Sequence, residues 1–276
     1  TDQYTMLREL ELSYSEFERI KAHCDKIEID FLSTPDELES LHFLVKDLGL
    51  STIKIGSGEF GNLPFLRQVL ELSTHMIMST GMSAFEDLVK TIDALGNPHP
   101  DKLTLLHCTS SYPCPPEFAN LRVITELISC LPYDIGYSDH TLGIPVSLAA
   151  AALGAKIIEK HFTQSQTLPG PDHSCSLEPS DLSLLVEGVR TVCASLGSKQ
   201  KCMQIVEEEV RLVATKILVA STSISKGMIF SSENVILIRA GVHGINGFGL
   251  DHLLGRHAKR SYMAYEPIDP SEASTN

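Results

Sequence analysis

Short apolar runs recur along the first two thirds of the chain at intervals that suit a parallel α/β fold. Six strand-like runs begin 22 to 30 residues apart, and helix-like segments such as DELESLHFLVKDLG and PVSLAAAALGA separate them. Strands that alternate with helices at this spacing are typical of βα units on one parallel sheet. The runs are IEIDFLSTP (27–35), STIKIGSGE (51–59), THMIMSTG (74–81), LTLLHCTSS (103–111), YDIGYSDH (133–140) and AKIIEKHFT (155–163).

The end of each run is polar and rich in small residues, as in GSGE, STG, CTSS and SDH. Ligands of parallel α/β proteins bind at the carboxyl ends of the strands, where the loops carry the chemistry. A barrel would bring all of these ends together. An open doubly wound sheet usually has a glycine-rich phosphate loop, and KIGSGE lacks the GxGxxG spacing. The pattern therefore favours a barrel.

The strand–helix rhythm stops after Gly197. Residues 198–213 are polar and charged, which predicts a partly helical linker. Residues 214–270 contain short strand-like runs around a Lys-Gly turn and predict a second domain, small for independent stability. We therefore expect a barrel domain over residues 1–197, a linker over 198–213 and a small domain over 214–270.

Composition excludes several classes of protein. The net charge is −13, with 35 acidic and 22 basic residues, so the chain would repel a nucleic-acid backbone. No apolar run reaches the roughly 18 residues that a membrane-spanning helix needs. The seven cysteines include no CxxC pair, which argues against a zinc cluster or disulfide framework and predicts a reducing, cytoplasmic location.

Two histidines, His140 and His161, end neighbouring runs and lie 21 positions apart. Adjacent strands are ~4.8 Å apart, so both imidazoles could reach one ion. A two-histidine site with open positions suits a catalytic divalent metal that also binds substrate oxygens. A lone histidine in an α/β core is usually structural, so the metal hypothesis depends on the pair.

Lys54 lies inside an apolar run, where a lysine needs a partner. It predicts an anionic ligand or a Schiff base, or else a strand-edge lysine whose ammonium stays in water. Glu59 and Asp172 are candidate polar anchors or proton carriers, whereas Arg239 alone is typical of a solvated surface. Hydroxyl side chains that could complete an anion cradle follow the same runs: Thr34, Ser57, Ser79, Thr80, Ser110 and Ser138.

Taken together, these stretches resemble the sialic acid synthase family, whose members make N-acetylneuraminate and relatives such as legionaminate and pseudaminate. The resemblance extends over nearly the whole chain. It implies a (β/α)8 TIM-type barrel followed by a small antifreeze-like (SAF) domain. The matching stretches include FLSTP, KIGSGE, NLP, MSTGM, LHCTSSYP, NLRVI, GYSDHTLGI, GAKIIEKHFT, GPDHSCSLEP and ISKGMIFSSENVILIRAG.

The resemblance also implies a reaction and a site. Phosphoenolpyruvate (PEP) would condense with an N-acetylmannosamine-type sugar and release phosphate, with Lys54, His140 and His161 catalytic. The two histidines would bind Mn²⁺ or Mg²⁺. Arg239 would reach the sugar from the other subunit of a domain-swapped homodimer. The remaining implied contacts are Thr34, Ser57, Ser79, Ser110 and Ser138 for PEP, and Glu59, Tyr112 and Asp172 for the sugar.

The chain departs from the family pattern in several places. A closed barrel needs eight strands, and the resemblance makes FLSTP the third, so we expect the first two strands to be absent upstream of Thr1. Asp36 stands where the family commonly has Phe, Ser110 where some members have Asn, and Val213 where some have an aromatic residue.

These departures leave two hypotheses open. The chain is either a synthase or a non-catalytic remnant that binds PEP or metal or pairs with an intact subunit. A third option, a PEP–aldose condensing enzyme that makes an eight-carbon sugar acid, is opposed by the SAF-like tail. The sequence does not choose between manganese and magnesium. It also leaves open N-acetylmannosamine, its 6-phosphate or a diamino-deoxy sugar as the substrate.

Overall fold

The computed structural model describes residues 3–274. The chain divides into two compact units, Thr1–Gly197 and Ser198–Asn276. The helices of the first unit are α1 Gln3–Leu10, α2 Tyr14–Lys26, α3 Leu38–His42, α4 Leu63–Leu72, α5 Phe85–Ala94, α6 Arg122–Cys130, α7 Pro145–Ala152 and α8 Pro179–Leu196.

One parallel sheet of five strands organises the first unit. Its strands are hydrogen-bonded in chain order, and α4, α5, α6 and α7 make the successive crossovers between them. This sequential order is that of one wall of an α/β barrel, so the α/β class and the parallel sheet are confirmed. The strands are β1 Thr52–Ile55, β2 His75–Ser79, β3 Leu103–Cys108, β4 Asp134–Asp139 and β5 Ile158–Lys160.

The expectation of six strands in this chain is wrong by one. Residues 27–35 form no regular strand, because α2 continues to Lys26 and Glu28 then turns with a φ of 58°. In the described part of the chain, one backbone hydrogen bond joins this segment to β1, from Lys54 N to Ser33 O at 3.4 Å. A strand needs a continuous ladder of such bonds, and one bond does not make it.

The helix-facing side of the sheet forms the main apolar core. Alternate strand residues such as Ile53, Ile55, Met76, Met78 and Leu105 are buried there. Their period of two is that of a pleated strand, so the intervening residues lie on the opposite face. The side chains on that opposite face become polar towards the carboxyl ends of the strands.

Small residues let α7 pack closely against its neighbours. Pro145 occupies the first turn of α7, where its missing N–H is not needed, and alanines fill the second half of the helix. Gly188 of α8 lies so close to α7 that a Cβ built on it would be 2.8 Å from Leu148 Cδ2. The alanine-rich run between the two histidines is therefore a crossover helix held tightly over the sheet.

The second unit has its own small core. Segment 198–213, expected as a linker, belongs to this unit and ends within helix α9, Glu208–Ala214. Strands β6 Ile217–Ala220 and β7 Val235–Ile238 pair antiparallel, as do β8 His257–Ala258 and β9 Ala273–Ser274, and α10 spans Leu250–Leu253. Residues such as Leu218, Phe230 and Tyr262 are buried in its core.

None of the helices described over residues 3–274 is long and apolar enough to cross a membrane. The seven cysteines are free thiols.

Gly136 in β4 provides a test of how tightly the sheet is packed. A Cβ at this position would lie 2.5 Å from Leu106 Cδ2 and 2.7 Å from the Ile157 carbonyl oxygen. We expect Gly136→Ala to lower the free energy of unfolding by about 1–3 kcal/mol, because backbone atoms of Ile157 must move. Urea denaturation measures the change. Gly58→Ala is the control, since no atom lies within 4 Å of its Cβ position, and an equal loss in both variants would contradict the expectation.

Candidate active site

Polar side chains from all five strands meet at the carboxyl end of the sheet, on the face opposite the apolar core. Lys54 comes from β1, Ser79 from β2, Cys108 from β3 and Ser138 from β4, while Glu159 comes from β5. The first four are buried despite their polarity. Buried polar groups require partners. Lys54, Ser79, Ser138 and Glu159 find them in one another, whereas Cys108 finds them in residues of neighbouring loops.

Lys54 is the cationic centre of this group. Its ammonium donates hydrogen bonds to Ser79 Oγ at 2.8 Å and to the Ile55 carbonyl at 2.9 Å. It also forms an ion pair with Glu159 Oε2 at 3.3 Å. The alternative of a strand-edge lysine with its ammonium in water is therefore wrong, because the side chain is only 11% exposed.

The register of β4 and β5 explains how Glu159 joins this group. Ser138 is directly opposite Glu159 in the parallel ladder, and its hydroxyl donates to Glu159 Oε1 at 2.6 Å. The glutamate thus links Ser138 to Lys54 across the sheet. Sequence analysis did not select Glu159, although a glutamate inside the apolar run KIIEKHF signalled it.

The two histidines come one residue after the last paired positions of β4 and β5. The rings of His140 and His161 have centroids 5.3 Å apart and are inclined at 67°. Tyr112 lies against both, with its centroid 4.2 Å from that of His140 and 5.6 Å from that of His161. The structure therefore brings together the two residues that the sequence singled out.

Each histidine has one ring nitrogen turned towards an oxygen. His140 Nδ1 donates to the Thr109 carbonyl at 3.1 Å, and His161 Nδ1 lies 3.7 Å from Asp172 Oδ2. This leaves the Nε2 atoms as the available ligands. Metal-binding histidines in proteins are commonly oriented by a carbonyl or carboxylate at the other nitrogen.

The electrostatic environments of the histidines differ. Burial lowers the pKa of His161, with the Asp172 carboxylate opposing and His140 reinforcing this shift, so the net direction is downward. Burial also acts to lower the pKa of His140, but hydrogen bonds to Cys108 and the Thr109 carbonyl more than offset it, and the pKa is raised. His161 is thus the readier neutral ligand.

Cys108 is a second residue that sequence analysis did not select. Its Sγ lies 3.7 Å from Ser57 Oγ, 3.9 Å from Ser110 Oγ and 3.8 Å from His140 Nδ1. Burial raises the pKa of this thiol, but the hydrogen bonds from His140 and Ser57 lower it overall. The thiol therefore connects two candidate hydroxyls with a candidate metal ligand.

Gly81 permits this close approach. A Cβ built on Gly81 would lie 2.3 Å from Ser110 Oγ and 2.8 Å from Ser57 Oγ. The Gly81 N–H donates to Ser57 Oγ at 3.0 Å. The glycine of MSTGM is therefore required by the contact between neighbouring strand ends.

Thr34 and Glu59 lie towards β1. Thr34 is exposed and follows Ser33, whose carbonyl accepts the Lys54 N–H. Glu59 accepts from Asn62 Nδ2 at 2.6 Å. Burial, followed by the charges of Glu59 and Glu37, raises the pKa of Asp36. The structure places neither Thr34 nor Glu59 in contact with the histidines.

Arg239 lies in the second unit and is exposed. Its Nε donates to the Ala214 carbonyl at 3.1 Å.

The donor set fits a divalent ion held by two imidazoles from this chain. Over residues 3–274 no cluster of three or more His, Cys, Asp or Glu side chains could hold a metal. The fit therefore rests on the Nε2 atoms of His140 and His161, with their Nδ1 atoms already oriented. Two protein ligands leave coordination positions open for substrate oxygens or water.

The model of the NeuB family matches residues 1–201. An N,N'-diacetyllegionaminic acid synthase of Campylobacter jejuni is 39% identical over 268 residues, which cover 96% of this chain and 80% of that protein. The human N-acetylneuraminate-9-phosphate synthase is 35% identical over 235 residues, which cover 85% of this chain and 65% of that protein.

A solved structure supports the same family assignment. The N-acetylneuraminic acid synthetase of Leptospira borgpetersenii, crystallised with citrate, superposes with a TM-score of 0.69 at 33% identity, covering 75% of this chain and 72% of that one. The resemblance recognised in the sequence motifs is therefore confirmed. The chain belongs to the NeuB family, the family of sialic acid synthases.

Proposed function

We propose that this protein condenses PEP with the aldehyde of an N-acetylmannosamine-type sugar, producing a nine-carbon sialic acid and phosphate. The observation that carries the proposal is the assembly, at one end of one sheet, of a buried lysine–hydroxyl cradle beside two oriented histidines. Relatives of this chain that are named as synthases of legionaminic and N-acetylneuraminic acids support the synthase function over that of a non-catalytic remnant.

The cradle suits the anionic groups of PEP. Lys54 supplies a charge, and Ser79 and Ser138 supply hydroxyls on neighbouring strands. Charge-assisted hydrogen bonds of this kind are stronger than neutral ones. In this structure Glu159 is paired with the Lys54 ammonium, and the Glu159 side chain is 39% exposed. A phosphate or carboxylate of PEP would therefore compete with Glu159 for Lys54.

The reaction forms one carbon–carbon bond and one carbon–oxygen bond to water, and it breaks the carbon–oxygen bond to phosphate. Carbon 3 of PEP attacks the aldehyde carbon, whose oxygen takes up a proton, and positive charge develops at carbon 2. Water adds at carbon 2 and loses a proton. The tetrahedral adduct then expels phosphate as its hydroxyl loses its proton and becomes the ketone carbonyl. A divalent ion, manganese or magnesium, supplies Lewis-acid polarisation of the aldehyde when it is bound. His140 and His161 would hold that ion.

The remaining assignments complete the proposal. Thr34, Ser57 and Ser110 would extend the PEP cradle, and Glu59, Tyr112 and Asp172 would contact the sugar. The second unit would be an SAF-type domain, and Arg239 would serve the site of the partner in a domain-swapped homodimer. Seven free thiols suit a reducing cytoplasm.

The first test is phosphate release from PEP and N-acetylmannosamine with Mn²⁺, followed by the 6-phosphate and a diamino-deoxy sugar. We expect release to require both substrates and the ion. It should fall by roughly two orders of magnitude in His161→Ala, because the second imidazole ligand is lost. His99→Ala, which alters a histidine whose side chain is 71% exposed, is the control. Absence of release with every sugar would overturn the proposal.

Lys54 allows the PEP cradle to be tested separately. We expect Lys54→Met to lower kcat/KM for PEP by about 10- to 100-fold, since charged hydrogen bonds contribute about 1.5–3 kcal/mol. The affinity for Mn²⁺ should be unchanged. Steady-state kinetics and metal titration measure the two effects. Lys102→Met, at an exposed lysine before β3, is the matched control, and a wild-type KM and kcat for PEP in Lys54→Met would contradict the assignment.

The domain-swapped dimer predicts complementation between two inactive variants. In a mixture of His161→Ala and Arg239→Ala, each heterodimer would contain one intact site, and random pairing would restore about a quarter of the sites. Phosphate release after mixing and subunit exchange measures this recovery. Each variant mixed with itself is the control. If heterodimers form without recovered activity, Arg239 does not act in the partner's site.

A further inference from the structure

A buried ion pair lies directly behind the two histidines. Lys160 Nζ is 3.0 Å from Asp139 Oδ2, and the two side chains are 4% and 0% exposed. Asp139 immediately precedes His140, and Lys160 immediately precedes His161. Because side chains alternate along a strand, the ion pair and the histidines lie on opposite faces of the same two strand ends.

The ion pair is fixed by further hydrogen bonds. Asp139 accepts from the Thr141 N–H at 2.8 Å and from the Ser147 hydroxyl of α7. Lys160 donates to the Thr141 carbonyl. The ion pair therefore joins β4, β5, the turn after His140 and the first turns of α7 into one network.

The backbone of each histidine is held in addition by a loop. The His140 carbonyl accepts from Cys114 N, and the His161 carbonyl accepts from Leu177 N, both at 2.8 Å. These two amides report on whether the histidine backbones remain in place, without any metal being present.

Stability alone does not account for a buried ion pair. Removing two charges from water is costly, and replacing such a pair by apolar side chains is often neutral or stabilising. An ion pair adds geometric specificity, because it forms only at one distance between the two strand ends and in one register. Here that register also sets the distance between His140 and His161.

We propose that Asp139 and Lys160 are positioning residues that hold the two histidines at the spacing required for a divalent ion. This inference rests on the proposed function, because that function assigns the histidines to the metal. The pair touches neither substrate nor ion and acts through the backbone of the two strands.

Mn²⁺ affinity, measured by calorimetric titration with the ion alone, tests the proposal. The variants are Asp139→Asn, Lys160→Met and their combination, in which the asparagine oxygen can still accept from Thr141. We expect each to weaken Mn²⁺ binding by about 10- to 100-fold, the range typical of residues that orient metal ligands. Matched controls are Asp134→Asn and Lys156→Met, exposed charges near the amino ends of the same strands, which should bind Mn²⁺ as the wild type does.

Hydrogen exchange without metal provides the second readout. We expect the Cys114 and Leu177 amides to exchange at least about 10-fold faster in all three variants, because local opening no longer has to break the ion pair. Amides of the β2–β3 ladder should keep their relative protection. A change confined to Cys114 and Leu177 is what positioning predicts, whereas a purely structural role would raise exchange throughout the sheet.

The outcomes separate this proposal from the function on which it rests. If the folded double variant binds Mn²⁺ like the wild type and its two reporter amides are unchanged, the positioning role is wrong. If the wild type itself fails to bind Mn²⁺, the metal assignment is wrong, and the exchange result alone then decides whether the ion pair fixes the strand ends. Should the double variant not fold, both measurements apply to Asp139→Asn.

Discussion

The parallel register of β4 and β5 is the constraint on which the rest of the site depends. It sets Ser138 opposite Glu159 and Asp139 opposite Lys160, and the next residues along the two strands are the histidines. Polar pairs therefore alternate between the two faces of one ladder. A slip of β5 by one residue would move Glu159, Lys160 and His161 to the wrong face.

In the proposed function, the face of the sheet opposite the apolar core combines two roles that need different chemistry. Lys54 with its hydroxyl partners would offer positive charge and donors to an anion, while His140 and His161 would offer ring nitrogens to a cation. Glu159 forms an ion pair with Lys54, and the Cys108 thiol contacts His140.

Sequence patterns located most strands and the polar residues at their ends, because apolar alternation and polar termini are local properties. The pattern was wrong at residues 27–35, where apolar spacing suits a strand but the backbone lacks a continuous ladder. Pairing depends on neighbours distant in sequence, and periodicity does not describe them. Glu159 was not selected for a related reason: the sequence shows it inside an apolar run, but its partners Lys54 and Ser138 lie on other strands.

The sequence by itself determined the alternation of strands and helices, the polar carboxyl ends and the motifs that identify the NeuB family. It also singled out Lys54, His140 and His161, whose residue types are unusual at apolar strand ends. The tertiary structure alone decided which groups meet: the Lys54–Glu159 contact and the ion pair behind the histidines. Residue type is encoded locally, but a distance between two strands is set by register and packing across the whole sheet.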